Sequence, residues 1–363
     1  MFLAWKEITY SKTRFALIIG VMLLVSYLVF FLTGLAYGLA EANRTSVDKW
    51  NADAIVLTDE SNTNINMSMI TIGQAEKVSA DETALLGQAS GVIRKQGMTG
   101  EDSKINATFF GVDPHEFIMP EVIEGESFSA DNEVVADESL KEENDIQIGD
   151  TIELAGSDER LTITGFTTDA QFNVAPVLYT TIATYQEIRF EKSDTSKDGR
   201  VSAVIVRDKK DDLSTIQTDT DELTSYPLKE YINKIPGYNA QVLTFGLMIG
   251  FLIVIAAVVI GIFIYVLTLQ KSNLFGVMKA QGISSSYISR SVLAQTFILA
   301  VLDVGIGLLL TVVTSFVLPA AVPYRTNVLF LTIITFLLIG VAVLGALFSV
   351  RTVVKIDPLE AIG

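Results

Sequence analysis

Four long runs of apolar residues constrain this chain more than any other feature of its sequence. Each run is at least 23 residues long, and Asp303 is the only residue with a formal charge inside them. About 20 apolar residues in an α-helix cross the hydrocarbon core of a membrane. The sequence therefore predicts a membrane protein with four transmembrane helices, at residues 15–40, 245–269, 292–318 and 328–350.

A cleaved signal peptide is the alternative explanation of the first run. Residues 40–42 (Ala-Glu-Ala) match the small-residue pattern of a cleavage site. The apolar stretch of a signal peptide is about 7–15 residues long, however, so this run is too long and we expect an uncleaved span. The preceding residues 1–14 mix aromatic, apolar and basic side chains. We favour an amphipathic helix at the cytoplasmic membrane surface over a frayed terminus.

Charge separates the middle of the chain from its ends. Residues 41–240 carry 17 Lys and Arg against 38 Asp and Glu, whereas the other residues carry 9 against 4. The net charge of −16 therefore reflects one acidic block. Nucleic-acid binding is disfavoured because this block would repel phosphates.

The basic residues outside this block predict the orientation of the spans. Eight of the nine lie on one side of a four-span arrangement, and only Arg325 lies in the short opposite loop at residues 319–327. By the positive-inside rule, the side with eight basic residues faces the cytoplasm. We therefore expect both termini, including the tail at 351–363, and the 270–291 loop in the cytoplasm of a cell. The 41–244 segment would lie outside the cell membrane.

Residues 41–244 are numerous enough to form a domain with its own hydrophobic core. Short segments rich in β-branched and aromatic residues predict strands, and helical patterns occur near 68–80 and 215–225. The predicted strands are 54–57, 107–112, 133–136, 151–154, 161–166 and 201–206. We expect a mixed α+β domain inserted between the first and second transmembrane helices.

The sequence contains no constellation that supports catalysis or metal binding. There is no cysteine, and His115 is the only histidine, so a zinc site lacks ligands and a catalytic triad would depend on this one residue. The chain also lacks a G-x-x-x-x-G-K-[ST] phosphate loop. We expect a protein that is not an enzyme and has no cofactor. Any energy from ATP would come through another subunit.

The loop at 270–291 has a composition suited to docking on such a subunit. It is long enough for a short helix ended by Gly282, and this helix would be apolar and lightly basic. Composition alone equally allows a plain interfacial loop. The candidate coupling residues are Leu274, Phe275, Val277, Met278, Lys279 and Gly282.

Three segments resemble the FtsX/MacB superfamily of ABC transporter permeases. LFGVMKAQGIS in the loop resembles the coupling segment, VVKIDPLEAIG resembles the C-terminal tail, and EVVADESL with IQIGDTIEL resembles the extracytoplasmic domain. Asn-Leu-Phe at 273–275 stands where the coupling segment usually has an acidic residue. The resemblance implies the fold of a type VII ABC permease and a separate ABC ATPase subunit.

A narrower resemblance is to the haem-efflux permeases of Gram-positive bacteria, the HrtB type. It rests on residues 1–18, on FNVAPVLYT at 172–180, and on the long segment 229–271. This resemblance implies a homodimer, two HrtA-like ATPases, and haem that enters from the outer leaflet between the two copies.

A haem site requires an apolar cleft and an axial ligand such as His, Met, Tyr or a carboxylate. Glu230 and Tyr231 are the first choice because both kinds of ligand lie together just before the second span. Aromatic-belt anchoring of the tyrosines and ordinary packing of the methionine are the alternatives. The other candidates near the outer membrane face are Tyr37, Glu41, Phe245 and Met248.

Asp303 lies near the middle of the third span, where a charge is costly. Gly305 and Gly307 beside it would allow a neighbouring helix to approach closely. We expect Asp303 to form an interhelical hydrogen bond that couples movements of the spans, and we place a role in substrate binding second.

In the favoured mechanism, two copies of the chain pack through spans one and two. ATP hydrolysis tilts these spans, and the tilting expels an amphiphile from the outer leaflet. Export of a peptide antibiotic, lipid or lipoprotein is an alternative within this class. FtsX-like transmission of ATPase motion to a cell-wall hydrolase is a second alternative. A membrane-anchored sensor or adhesion protein without an ATPase is the third.

Overall fold

The computed structural model describes residues 12–157, 159–208, 216, 218 and 222–355. The chain divides into two compact units. We call the first the membrane unit; it comprises the chain up to Gly38 and from Leu243 onward. The second is the inserted domain, Leu39–Val242. The predicted surface helix at 1–14 and the tail at 351–363 lie largely outside the described residues.

Four helices in the described part of the chain are long and apolar enough to cross a membrane. They are α1, α7, α9 and α10, and the short helix α8 connects α7 to α9. The fold class predicted from the sequence is therefore confirmed. The helices of the chain are α1 (Lys12–Ala42), α2 (Thr45–Asp48), α3 (Ile72–Ala75), α4 (Ser139–Asn144), α5 (Ile182–Phe190), α6 (Leu228–Lys234), α7 (Tyr238–Gln270), α8 (Ser272–Ala280), α9 (Ser285–Ser315) and α10 (Val328–Lys355).

The helix ends differ from the edges of the apolar runs because capping and turn chemistry, not hydropathy, determine where a helix stops. α8 ends at Ala280, and Gly282 has a φ of +88°, a left-handed conformation that glycine adopts without steric cost. Ser284 then caps α9, since its hydroxyl accepts a hydrogen bond from the backbone N–H of Tyr287. α9 ends at Ser315, three residues before the predicted end of the third span.

The four long helices share two apolar clusters. Both clusters contain side chains from every one of these helices, so the membrane unit is a bundle rather than a row of helices. The first cluster consists of Val29, Phe30, Ala256, Val304, Leu331, Ile334 and Leu338. The second consists of Met22, Ile260, Ile264, Ala300, Ala342 and Ala346.

The inserted domain is built on an 11-stranded mixed sheet with the order β13-β1-β12-β3-β4-β10-β6-β8-β5, and a two-stranded sheet of β11 and β2. β7 pairs with β3 and β8, and β9 pairs with β10. The strands are β1 (Ala54–Thr58), β2 (Ile70–Thr71), β3 (Glu82–Lys95), β4 (Ile105–Gly111), β5 (Glu124–Gly125), β6 (Glu133–Asp137), β7 (Thr151–Leu154), β8 (Arg160–Thr167), β9 (Gln171–Phe172), β10 (Ala175–Thr180), β11 (Arg200–Val201), β12 (Ala203–Arg207) and β13 (Leu223–Pro227).

All six predicted strands are present, but the two predicted helical segments of this domain were wrong where the structure describes them. Residues 68–80 form only the four-residue helix α3 after strand β2. The end of the 215–225 segment belongs to β13, which pairs antiparallel with β1 about 170 positions earlier in the chain. Pairing with a distant strand outweighs local helical periodicity here, because tertiary contacts override weak propensity.

Candidate functional site

The short helix α8 faces two ways. Phe275 is buried against Ile288 and Val292 of α9, and Met278 packs on the same cluster. Leu274, the residue before Phe275 in α8, is 52% exposed. An exposed apolar side chain on a helix that is anchored from behind is suited to contact a second protein.

The predicted coupling residues therefore divide into two groups. Phe275 and Met278 hold α8 on the bundle, whereas Leu274 and Val277 present apolar surface outward. At the start of α8, the Lys271 ammonium donates a hydrogen bond to Gln295 Oε1 on α9 at 3.2 Å. The sequence did not indicate this second contact between α8 and α9, since 24 residues separate Lys271 from Gln295.

Asp303 makes an interhelical contact inside the bundle. Its Oδ2 lies 3.0 Å from the hydroxyl of Ser26 on α1, and Asp303 is 1% exposed. The same hydroxyl lies 2.7 Å from the backbone carbonyl of Met22. At Gly307, one turn along α9, an added Cβ would lie 3.2 Å from Ser26 Cβ, so α1 and α9 are in close contact there.

The C-terminal part of α1 contacts the loop between α9 and α10. The backbone N–H of Arg325 donates a hydrogen bond to the carbonyl of Gly34 at 3.2 Å. A Cβ on Gly34 would lie 2.3 Å from the Tyr324 ring, and one on Gly38 would lie 2.1 Å from Pro323 O. This G-x-x-x-G pair is thus filled by the chain's own loop. The sequence signal was present, but the identity of the occupant was not deducible from spacing.

Tyr37 lies between Gly34 and Gly38 in the sequence of α1 and is half-buried. Its ring lies 5.6 Å from that of Phe330 on α10, in a tilted arrangement. A second set of rings runs from Tyr27 through Phe31 to Tyr324, with 5.8 Å between successive centroids. Phe245 and Met248 lie in the first turns of α7 within the membrane unit, and both are half-buried. The bundle thus supplies aromatic and thioether side chains at this end.

Tyr231, one of the two first-choice haem ligands, is too deeply buried to be an accessible ligand for haem iron. It is 1% exposed in the main core of the inserted domain, together with Trp50 and Tyr179. Burial raises the pKa of the Tyr231 phenol, which disfavours the phenolate form that binds haem iron. The preference for Tyr231 was based on its sequence position, which does not report burial.

Glu230, by contrast, keeps its carboxylate at the domain surface, whereas the Glu41 side chain is only 17% exposed. Glu230 is an ion-pair partner of Lys234 at 2.7 Å, with about half of its side chain exposed. Glu41 pairs with Arg44 at 3.5 Å. His115 is exposed, and no group of three or more His, Cys, Asp or Glu residues in the described part of the chain is arranged to hold a metal ion.

Two family models assign this architecture of four membrane-spanning helices, with a domain inserted after the first, to the membrane subunits of ABC transporters. The model of the MacB-like periplasmic core domain matches residues 13–223, and that of the FtsX-like permease C-terminal domain matches residues 246–358. The chain belongs to the FtsX/MacB family of ABC transporter permeases. The relatives are ABC permease subunits, and this family implies an ATPase partner.

Relatives match the chain from end to end. It is 25% identical to the putative hemin transport system permease protein HrtB of Staphylococcus haemolyticus, covering 100% of this chain and 99% of that protein. It is 24% identical to an uncharacterized ABC transporter permease of Mycobacterium tuberculosis, with the same two coverages. The chain is also similar to the crystal structure of the periplasmic region of MacB from Actinobacillus actinomycetemcomitans (TM-score 0.34, 11% identity, 49% of this chain and 89% of that one).

Proposed function

We propose that the protein is the permease of a haem exporter, and that it expels haem or a similar flat amphiphile from the outer leaflet of the cell membrane. The observation that carries this proposal is the full-length similarity to HrtB, which extends over both the inserted domain and all four spans. Within the membrane unit, the residues are compatible with such a substrate, because the bundle offers apolar surface, aromatic rings and the thioether of Met248.

The proposed orientation follows the positive-inside rule. Both termini and α8 would face the cytoplasm, where α8 would bind an HrtA-like ATPase through Leu274 and Val277. The inserted domain would face outward. ATP-driven closure of the ATPases would move α8, and its ties to α9 through Phe275 and Lys271 would transmit that movement into the bundle.

A second copy of the chain is the proposed partner inside the membrane. One face of α7 carries a stripe of exposed apolar residues with spacings of 4, 4 and 3, the eleven-residue repeat typical of right-handed helix packing. Gly246 and Gly250 lie beside this stripe, and an added Cβ on either would have no neighbour within 4 Å. The stripe consists of Leu243, Leu247, Phe251, Val254, Val258, Ile262, Tyr265 and Leu269.

The open G-x-x-x-G pair of α7 favours a homodimer over plain lipid contact. Small residues four apart let two helices approach closely in a membrane, usually with a right-handed crossing. The similar pair on α1, Gly34 and Gly38, is already filled by the loop of the same chain. Gly246 and Gly250 are therefore free to receive another helix.

Substitution of these glycines tests the homodimer. Gly246→Leu with Gly250→Leu should lower dimer content at least tenfold in detergent or nanodiscs and leave the monomer folded. The matched control is Gly20→Leu with Gly340→Leu, two other positions where a Cβ would have nothing within 4 Å. Equal dimer content in both double variants would contradict the use of α7.

Haem binding should be tested on the full chain with its ATPase in nanodiscs. Haem should give a shifted Soret band and stimulate ATP hydrolysis. Loss of a ligand in Glu230→Gln or Met248→Leu should weaken haem binding about tenfold or more, or 1.4 kcal/mol. Tyr231→Phe is the control, since this buried ring should not contact the substrate. Absence of haem binding by the wild type would refute the substrate, and equal ATPase stimulation by unrelated amphiphiles would refute its specificity.

A further inference from the structure

A gap in the main sheet leaves part of the longest strand, β3, with a free edge. On one side of β3, strand β12 reaches as far as Leu86, and strand β7 begins opposite Ile93. Residues 87–93 pair with β4 on the other side. Between β12 and β7, the backbone of β3 thus has no strand beside it.

The backbone groups of Ser90 point into this gap. In an antiparallel strand, the N–H and C=O of every second residue face the same side. Leu86 O accepts a hydrogen bond from the N–H of Ser202, and Val92 O accepts one from the N–H of Ala155. Ser90 lies between Leu86 and Val92 at an even spacing from both, so its N–H and C=O face the same side of β3 as theirs. Among the described residues, its backbone N–H and C=O have no hydrogen-bond partner on this edge.

The gap opens into a cleft of about 730 Å³. Ser90 and Gly91 form one wall of the cleft, and the β7–β8 turn and the end of α5 form the other walls. Leu154 and Ile188 provide apolar surface inside it. An extended chain placed along β3 would therefore meet both backbone partners and an apolar wall.

The rim of this cleft is mainly acidic. Glu159, Glu187 and Glu191 line it, and Lys192 is the cation among its lining residues. Burial, and then the charges of Glu159 and Asp131, raise the pKa of Glu187. Glu159 and Glu187 repel each other. The three carboxylates outnumber Lys192 on the lining, so a positive charge that enters the cleft would be stabilised.

A buried amide beside the cleft is incompletely paired. Gln88 is fully buried; its Nε2 donates to Ser90 Oγ at 3.1 Å, and its Oε1 has no hydrogen-bond partner among the described residues. A buried acceptor without a partner is uncommon in folded proteins.

We propose that this cleft binds an extended peptide segment of a partner protein or peptide, which adds to the free edge of β3 and places a lysine or arginine among the three carboxylates. The peptide's own N–H and C=O pair with Ser90, as in other cases of strand addition. The proposal does not depend on haem, so it stands apart from the proposed function.

Peptide binding is measured on the full chain in nanodiscs by fluorescence anisotropy. The probes are two labelled, end-capped tetrapeptide mixtures that hold Lys or Glu at the second position. The Lys mixture should bind saturably and at least tenfold more tightly than the Glu mixture at low salt. N-methylation of the backbone at the lysine should weaken binding about 2- to 12-fold, the value of one hydrogen bond.

Two protein variants test the same contacts from the other side. Ser90→Pro removes the free N–H without breaking the β3–β4 ladder, because that N–H faces away from β4. It should weaken binding about 2- to 12-fold. Glu187→Gln with Glu191→Gln should weaken binding of the Lys mixture about 2- to 5-fold per charge, whereas the exposed Glu60→Gln should not.

No saturable binding, equal binding of the Lys and Glu mixtures, or indifference to N-methylation would overturn the proposal. Since N-methylation changes only the peptide, this outcome is decisive even where Ser90→Pro disturbs folding. Haem-stimulated ATP hydrolysis should be unchanged in the Glu187 and Glu191 variants. This readout keeps a failure of the peptide site distinct from a failure of haem export.

Discussion

Replacement of Asp303 by asparagine should have little effect on the protein. The hydroxyl of Ser26 lies within hydrogen-bond distance of both the Met22 carbonyl (2.7 Å) and Asp303 Oδ2 (3.0 Å). A hydroxyl has one proton, so it can donate to only one of them. Both contacts are satisfied together when the residue at 303 is a donor, as a protonated acid or an amide. Asparagine supplies such a donor in nearly the same volume.

The expected magnitudes follow from the cost of interhelical hydrogen bonds in membranes. Such bonds contribute about 0.6 kcal/mol on average and about 1.7 kcal/mol at most. Asp303→Asn should therefore change the free energy of unfolding by less than about 0.5 kcal/mol. Ser26→Ala should lower it by about 0.6–1.7 kcal/mol. A cycle of the two substitutions should give a coupling energy in the same range.

Unfolding in mixed micelles and ATP-driven export in vesicles are the assays. The matched control is Ser315→Ala, because the Ser315 hydroxyl donates its hydrogen bond to Val312 O of its own helix. Abolished export with normal assembly in Asp303→Asn would refute the structural role and favour a direct role of the carboxyl group. A coupling energy near zero would refute the interhelical bond itself.

Three further predictions concern stability and coupling. Burial, and then the charge of Asp113, raise the pKa of Glu116 to about 7 from an ordinary value of 4.5, so its ionisation opposes folding as the pH rises from 4.5 to 7. Glu116→Gln should therefore stabilise the domain by about 1 kcal/mol at pH 8 and not at pH 4. Fluorescence of the buried Trp50 follows the unfolding. A Glu116→Gln variant with the wild-type pH profile would contradict this assignment. Gly38→Ala should lower the free energy of unfolding by about 1–3 kcal/mol, because the added Cβ would clash with the 319–327 loop. A neutral effect in the unfolding assay would show that this loop does not pack against Gly38. Leu274→Ala should weaken binding of the ATPase in a pull-down titration without loss of stability, and unchanged affinity would exclude this face of α8 as the contact.

Hydropathy and strand composition were sufficient to predict the architecture. A transmembrane helix must bury about 20 consecutive residues in lipid, so its signal is contiguous in sequence. All six predicted strands are present for a related reason, since β-branched and aromatic residues in short runs carry a local preference. Asp303 was identified as an intramembrane residue because one acid in an apolar run is conspicuous without knowledge of its neighbours.

Only the tertiary structure determined which side chains meet, because those partners lie far apart in the chain. Tyr231 resembled an exposed ligand near the membrane, yet it packs in a core with residues about 50 and 180 positions away. The two G-x-x-x-G pairs look alike in sequence, but Tyr324 and Pro323 fill the one on α1, whereas the one on α7 is open. Spacing along a helix specifies a face, and the free energy of packing over the whole chain decides what covers that face.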